Sequence, residues 1–441
     1  MEATQASNAT PLTPVDRIHI VNRIKKLVLN RHVDVSNPKL DYREWGAQLD
    51  EYRSTLADVD DTEFRRRIGE LLNKLGSSHT AFFHRYQTRV PAPYSINATL
   101  RATETPSGTR WMFLDVIENG VAARAGIRPG ELLLTIDSEP MIPPQPAQFK
   151  IGARHHLELG NLQGMSRQVS IEIPSKTAKD RPPMIEAKSL SYQMIAADVG
   201  LVKVATFPGT VGQQFASNLD AAITDLKNRG VERLIVDIRG NVGGGLGSLR
   251  LMSYLHPQQL EIGYSVTRRR LRNGYRREKL ARIDRIPARK LELLMMAIRF
   301  GVIHRDRSIA LVTEGLGPQP FHGRIVLLVN EYTHSAAEMV ASFAKENGLA
   351  TIVGARTAGE VLGGANFKLR NGYRLRIPVA GWFTWQGECI EGKGVEPDIS
   401  VDNRAESLAI GIDAQLAKAI EVVQSLYPSP KDSAGSPIHA N

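Results

Sequence analysis

The sequence predicts an α/β multidomain protein, on three observations. The chain has 441 residues, which at roughly 100–200 residues per domain is long enough for several domains. Hydrophobic residues make up 42% and charged residues 23%, so each part can bury an ordinary core. The pattern changes twice along the chain, from helical periodicity to short punctuated strands and then to strands alternating with helices. Disordered, collagen-like and low-complexity architectures are excluded. No run approaches the ~18 apolar residues of a spanning helix, so no membrane span is expected. The opening MEATQASNATPLTP lacks the apolar stretch of a secretory signal. A lone Cys389 excludes an intramolecular disulfide and a cysteine zinc cage. A cytoplasmic location is the expectation, unless an export signal has been removed.

Residues 1–12 read as disordered. Thr13-Pro14 followed by Asp16 is a helix start, with a capping hydroxyl, a proline in the first turn and an acid at the positive dipole end. Val15, Ile18, Ile20, Val21, Ile24, Leu27 and Leu29 form its apolar stripe. Further helices are predicted at 42–56 and 61–75, the last stopped by Gly76. These make an N-terminal helical module over 1–85. Over 86–180 the signal is short strands with Gly and Pro between them, and one short helix at 121–125. From 181 to 427 strands at 200–207, 233–238, 324–329 and 350–353 alternate with helices at 212–228, 246–255 and 335–347. That alternation implies parallel pairing through helical crossovers. Residues 428–441 read as a disordered tail.

The net charge of +10 is concentrated. Val266 to Lys290 holds eleven Arg and Lys against Glu278 and Asp284, a net of +9, within an insertion over 256–322. A sequence-reading nucleic-acid binder would carry basic charge over a whole face. The segment reads instead as a solvated charged element or a guide for acidic chains.

Four short stretches could carry chemistry. In NEYTHSAAE, an apolar strand ends at Asn330 and Ser335 opens a helix. There the Ala336 amide could face an oxyanion on a group attacked by the serine, although serine at this position also serves simply as a cap. In DIRGNVGGG, Asp237 to Gly245, consecutive glycines permit close backbone approach, and the GK[ST] ending of a phosphate loop is absent. In GSSHT, His79 is a candidate base. In IEGKGVEPDI, Glu391 could orient an imidazole, whereas Glu396 and Asp398 read as surface or turn residues. His334, the pair His155-His156 and Cys389 read as structural, and no metal or nucleotide cofactor is implied.

Together, in this order, the stretches resemble the C-terminal processing (tail-specific) serine peptidases, in their tricorn-like branch. The resemblance runs over most of the chain after about residue 60. It implies a crotonase-like αβ peptidase core with an N-terminal helical part and an inserted PDZ-like domain over 86–180. Carried over by position, Ser335 is the nucleophile, His79 the base, Glu391 the orienting acid and Ser78 a supporting hydroxyl. Gly243 and Ala336 supply the oxyanion amides, and Gly244 adjoins the substrate. One branch of the family uses a lysine about 25 residues after the serine, and Glu360 stands in that place here, so the Ser–His–Glu branch is the match. The expected activity is endoproteolysis of peptides or unfolded proteins, acidic ones among them. The alternative is an inactive peptide-binding scaffold. The loop Ser95-Ile96-Asn97 aligns with the carboxylate-binding loop of PDZ domains but has no glycine.

Overall fold

The computed structural model describes residues 11–33, 35, 40–85, 89–175, 188–299, 308–319 and 321–425. The expected tail at 428–441 and residues 1–10 lie outside these. Leu12 does not belong to a disordered start: it is buried and its N–H donates to Asp61. Thr13 caps helix Pro14–Arg31 in a reciprocal box with Asp16, which stabilises a helix start by about 1 kcal/mol. Helices Tyr42–Ala57 and Asp61–Asn73 follow, each capped by an aspartate side chain. Arg17 ties the three together, donating to Ala57 O at 2.9 Å and to Asp61 at 2.9 Å.

The β-rich module has its own sheet, ordered Ala98–Thr103, Arg110–Val116, Leu132–Ile136, Arg154–Gly160, Ser166–Glu172. Its core is built from Ile96, Phe113, Leu133, Phe149 and Leu157 among others.

The alternating region forms a sheet in the order Leu190–Ala196, Val199–Val204, Arg233–Asp237, Ile325–Val329, Thr351–Gly354, Ile399–Ser400. All neighbouring pairs are parallel except the first. Alternate strand residues feed two cores. Val202, Leu234, Val236, Leu327 and Val329 face helices Gln213–Asn228, Gly247–Ser253 and Ala336–Glu346. Leu201, Ile235, Val326 and Leu328 face helix Ala414–Ser425. Cover on both faces explains why strands Arg233–Asp237 and Ile325–Val329 are buried throughout.

A second sheet has no counterpart in the sequence pattern. It runs Ala81–His84, Tyr373–Thr384, Glu261–Thr267, Ile309–Val312, Ala281–Ile283, with Gly363–Lys368 on the long strand. The basic insertion is therefore a sheet-forming element. Its Arg268 lies 3.9 Å from the centre of the Tyr42 ring and donates to Leu29 O at 2.7 Å. Arg277 packs over Trp385. These two cations are spent on docking, which corrects a purely solvated reading. On its other side this sheet seats the helical module, whose core includes Tyr373, Leu375 and Ile377. Among the described residues no helix is long and apolar enough to cross a membrane.

Candidate active site

Loops after the carboxyl ends of three adjacent parallel strands converge, the usual place for a site in such a sheet. Strand Ile325–Val329 ends in a turn bolted to the glycine loop. Thr333 Oγ1 donates to Ile238 O at 3.1 Å and accepts from Asn330 N at 3.0 Å, and His334 N donates to Asn241 O at 2.9 Å. The turn delivers Ser335 at φ 53, ψ −118. An L-residue rarely adopts this conformation, and it persists only where surroundings over-determine it. Two acceptors do so: the Ser335 N–H donates to Glu360 O at 3.1 Å and to Glu338 Oε2 at 3.1 Å. Among the described residues neither Ser335 Oγ nor the Ala336 N–H makes a hydrogen bond. The serine is therefore not capping the helix with its side chain, and its hydroxyl and the next amide are both available.

Gly243 crosses directly over this corner. A Cβ placed there would stand 2.7 Å from Ser335 Cβ and 3.0 Å from Ala336 N, at a φ of +87. Glycine is required both for the space and for the conformation. The Gly243 N–H itself is already engaged, donating to Asn241 Oδ1 at 2.8 Å in an Asx-type turn. This corrects the expectation of a ready oxyanion donor at Gly243. Gly244 is exposed beside it, and a Cβ added there would collide with the Phe207 carbonyl oxygen.

Strand Ala81–His84 pairs with Tyr373–Thr384, placing Ala81 opposite Arg376. His79, two residues earlier, is consequently brought to Gly364, where an added Cβ would lie 3.3 Å from His79 Cβ and 3.1 Å from Arg376 Nε. His79 also has a positive φ of 58. The segment from Glu360 to Gly364 thus touches Ser335, Glu391 and His79. Glu360 O holds Ser335, the Val361 N–H donates to Glu391 Oε2 at 2.8 Å, and Gly364 adjoins His79.

Glu391 is buried and does not contact the imidazole directly, as a simple triad reading would have it. Its Oε1 accepts from the Ser78 N–H at 3.1 Å, and the Ser78 hydroxyl bonds His79 Nδ1 at 3.0 Å. The acid reaches the ring through Ser78. Burial pushes the Glu391 carboxyl up, and the Ser78 bonds pull it back. His79 is lowered to about 4, first by burial and then by the Arg376 guanidinium, with Glu360 opposing. It is therefore neutral at pH 7, as a base must be. No hydrogen bond joins His79 to Ser335 in this state.

Glu360 is more than a substitute for an absent lysine. Its carboxylate pairs with His334 at 3.2 Å and is held below its ordinary value by that bond. Sequence reasoning missed Glu338, which is wholly buried. Besides Ser335 N, it accepts from Thr357 Oγ1 at 2.6 Å, Gly359 N at 2.6 Å and Glu360 N at 2.8 Å. The spacing Ser335-x-x-Glu338 was its available signal, being that of a capping box.

Ser95, Ile96 and Asn97 are not displayed to a ligand. All three are buried. Ser95 Oγ donates to Pro91 O, Ile96 O accepts from Ala122 N, and Asn97 O accepts from Ile117 N. Their polar groups close the module on itself. His155 bonds Asp137, and no group of metal-ligating side chains occurs among the described residues.

Residues 198–401 match peptidase family S41. A putative tricorn protease homolog 2 of Streptomyces coelicolor is 25% identical over 422 residues, covering 88% of this chain and 31% of its own. The chloroplastic carboxyl-terminal-processing peptidase 3 of Arabidopsis thaliana is 23% identical over 96% of this chain and 76% of its own length. The chain thus spans about a third of the first relative and three quarters of the second. The solved photosystem II D1 C-terminal processing protease superposes with a TM-score of 0.56 at 18% identity, over 93% of this chain and 99% of that one. The matched region, which carries the glycine loop, the Ser335 corner and Glu391, is a peptidase family S41 region.

Proposed function

We propose that the protein is a serine endopeptidase whose nucleophile is Ser335, with a crotonase-like core and a PDZ-like module at 86–180. The observation that carries this reading is the unbonded Ser335 hydroxyl, held at a strained corner beside an unbonded amide. In the reaction, Ser335 Oγ bonds to the peptide carbonyl carbon and its proton passes to His79. The Ser78 hydroxyl, donating to Glu391, accepts from His79 Nδ1–H and leaves Nε2 as the basic nitrogen. The carbonyl oxygen takes up negative charge against the Ala336 N–H. A second donor is Gly243 N–H, once released from Asn241. His79 then gives its proton to the leaving amine as the C–N bond breaks, and water hydrolyses the acyl-enzyme by the reverse sequence. Substrates are peptides or unfolded proteins. The exposed arginines Arg269 and Arg272 favour acidic ones, by long-range attraction that falls with salt.

The test is labelling by a fluorophosphonate probe and hydrolysis of a fluorogenic peptide. Wild-type protein should be labelled at Ser335 and Ser335→Ala should be folded, unlabelled and inactive. An unlabelled wild-type protein would favour the inactive peptide-binding scaffold.

A further inference from the structure

The turn that presents Ser335 is gripped by the β-rich module. Asn330, almost fully buried, stands at the junction. Its Oδ1 accepts from Gly240 N at 3.0 Å and from Tyr332 N at 3.1 Å. Gly240 opens the glycine loop and Tyr332 belongs to the nucleophile turn, so one side-chain oxygen joins both halves of the corner. Two backbone donors on that oxygen force the amide nitrogen to face the other way. There it donates to both carboxylate oxygens of Asp115, at 3.1 and 2.9 Å. Asp115 is on strand Arg110–Val116 of the β-rich module. Thr99 Oγ1, on the neighbouring strand, fixes its carboxylate at 2.5 Å. Gly240 packs so closely that an added Cβ would lie 3.0 Å from Asp115 Oδ2. The same module grips the turn twice more. Arg101 donates to Glu331 at 2.5 Å, and the Tyr332 hydroxyl donates to Leu100 O.

We infer that Asp115 is a positioning residue: through Asn330 it sets the glycine loop and the Ser335 turn in register. It touches no substrate in this role. The module then serves as a fixed brace for the corner, independently of any peptide it binds. Of the three contacts, only Asp115–Asn330 reaches both halves, so it controls their relative position. Because both acceptor directions of Asn330 Oδ1 are taken by backbone donors and its amide nitrogen is held by the Asp115 carboxylate, loss of the carboxylate frees the amide to rotate and both backbone donors lose their fixed partner.

This inference rests on the serine peptidase reading, and its test separates the two. The variants are Asp115→Leu, which removes both acceptors, Asn330→Asp, which sets two carboxylates face to face, and the swap Asp115→Asn/Asn330→Asp. In the swap, Asn at 115 donates to Asp at 330, whose other oxygen still accepts from Gly240 and Tyr332. Three readouts are taken: fluorophosphonate labelling rate, kcat and KM on a fluorogenic peptide, and amide hydrogen exchange by mass spectrometry. Asp115→Leu and Asn330→Asp should label and turn over at least tenfold more slowly, with KM within twofold of wild type. Exchange should quicken in 238–245 and 330–335 more than elsewhere. The swap should recover labelling and kcat to within threefold. Faster exchange with unchanged labelling overturns the inference, as does a rise in KM with kcat intact, or a swap no better than Asn330→Asp alone. If Asp115→Leu does not fold, the comparison of the swap with Asn330→Asp decides. If wild type does not label, the peptidase reading fails, and the exchange data still judge the brace.

Discussion

At Ser335 and His79 the backbone itself is part of the chemistry. Both have positive φ, a conformation that costs on the order of 1–3 kcal/mol and is retained where function over-determines it. His79 is held far below its ordinary value, at about 4. Because the neutral ring is the base, kcat/KM should stay flat from pH 7 down to about 5 and fall through an acid limb near 4. Arg376→Gln removes a positive charge that opposes protonation, so the limb should move to higher pH. A pH profile of both proteins checks this, and a wild-type limb at 6.5 or above would refute it. Since Ser78 binds Glu391 through its N–H and His79 through its hydroxyl, and the proposed relay runs through that hydroxyl, Ser78→Ala and Glu391→Gln should each cost roughly 10²-fold in kcat/KM, the scale of a misdirected proton transfer. The double variant should be little worse than either, because groups acting as a unit are not additive. Full additivity in that cycle would break the relay. Glu360→Gln should cost less than Glu391→Gln, since its carboxylate serves His334 and only its backbone carbonyl holds Ser335.

Among the elements, the glycine loop and the segment from Glu360 to Gly364 do the assembling. The loop is legible in sequence because three consecutive glycines directly after a buried strand mark a place where backbone must pass close to another group. Its full role is not, since a side chain two residues earlier, Asn241, takes the Gly243 amide. The Glu360 segment looks in sequence like a vacant lysine site, although its backbone spans from Ser335 to Glu391 and His79. Gly243→Ala should leave the protein folded but displace Ser335, against whose Cβ the new methyl would press. A displacement of about 1 Å at a reacting group costs on the order of 10²-fold. Activity within threefold of wild type, with an unchanged thermal melt, would show that the corner yields freely.

Over the whole molecule, the helical module, the second sheet and the basic insertion form one docked unit. Arg268 clips the insertion to the helical module, by its ring contact with Tyr42 of helix Tyr42–Ala57 and its bond to Leu29 O of helix Pro14–Arg31. A partly buried cation–π contact of this kind is worth ~1 kcal/mol. Arg268→Gln should therefore melt about 2 to 4 °C lower, whereas the exposed Arg269→Gln should be neutral. For the charge itself, Arg269→Gln/Arg272→Gln should lower kcat/KM for an acidic peptide at low salt and spare a neutral one. Equal effects on both peptides, or none, would remove the guiding role.

By itself the sequence determined the helices of the first 75 residues, the strand–helix alternation, and the four stretches bearing Ser335, Gly243, His79 and Glu391. Each is set by periodicity, caps or glycine, which act between residues close in the chain. Only the tertiary structure decided that Ser78 stands between Glu391 and His79, that Ser95 to Asn97 are closed over, and that Arg268 is a clip. It also revealed Glu338, Asn330 and Asp115 as the groups that hold the corner. Pairing of Tyr373–Thr384 with strands nearly 300 and more than 100 residues earlier leaves no local pattern. A buried carboxylate such as Glu338 or Asp115 looks like any surface acid until its donors, drawn from distant loops, are in place around it.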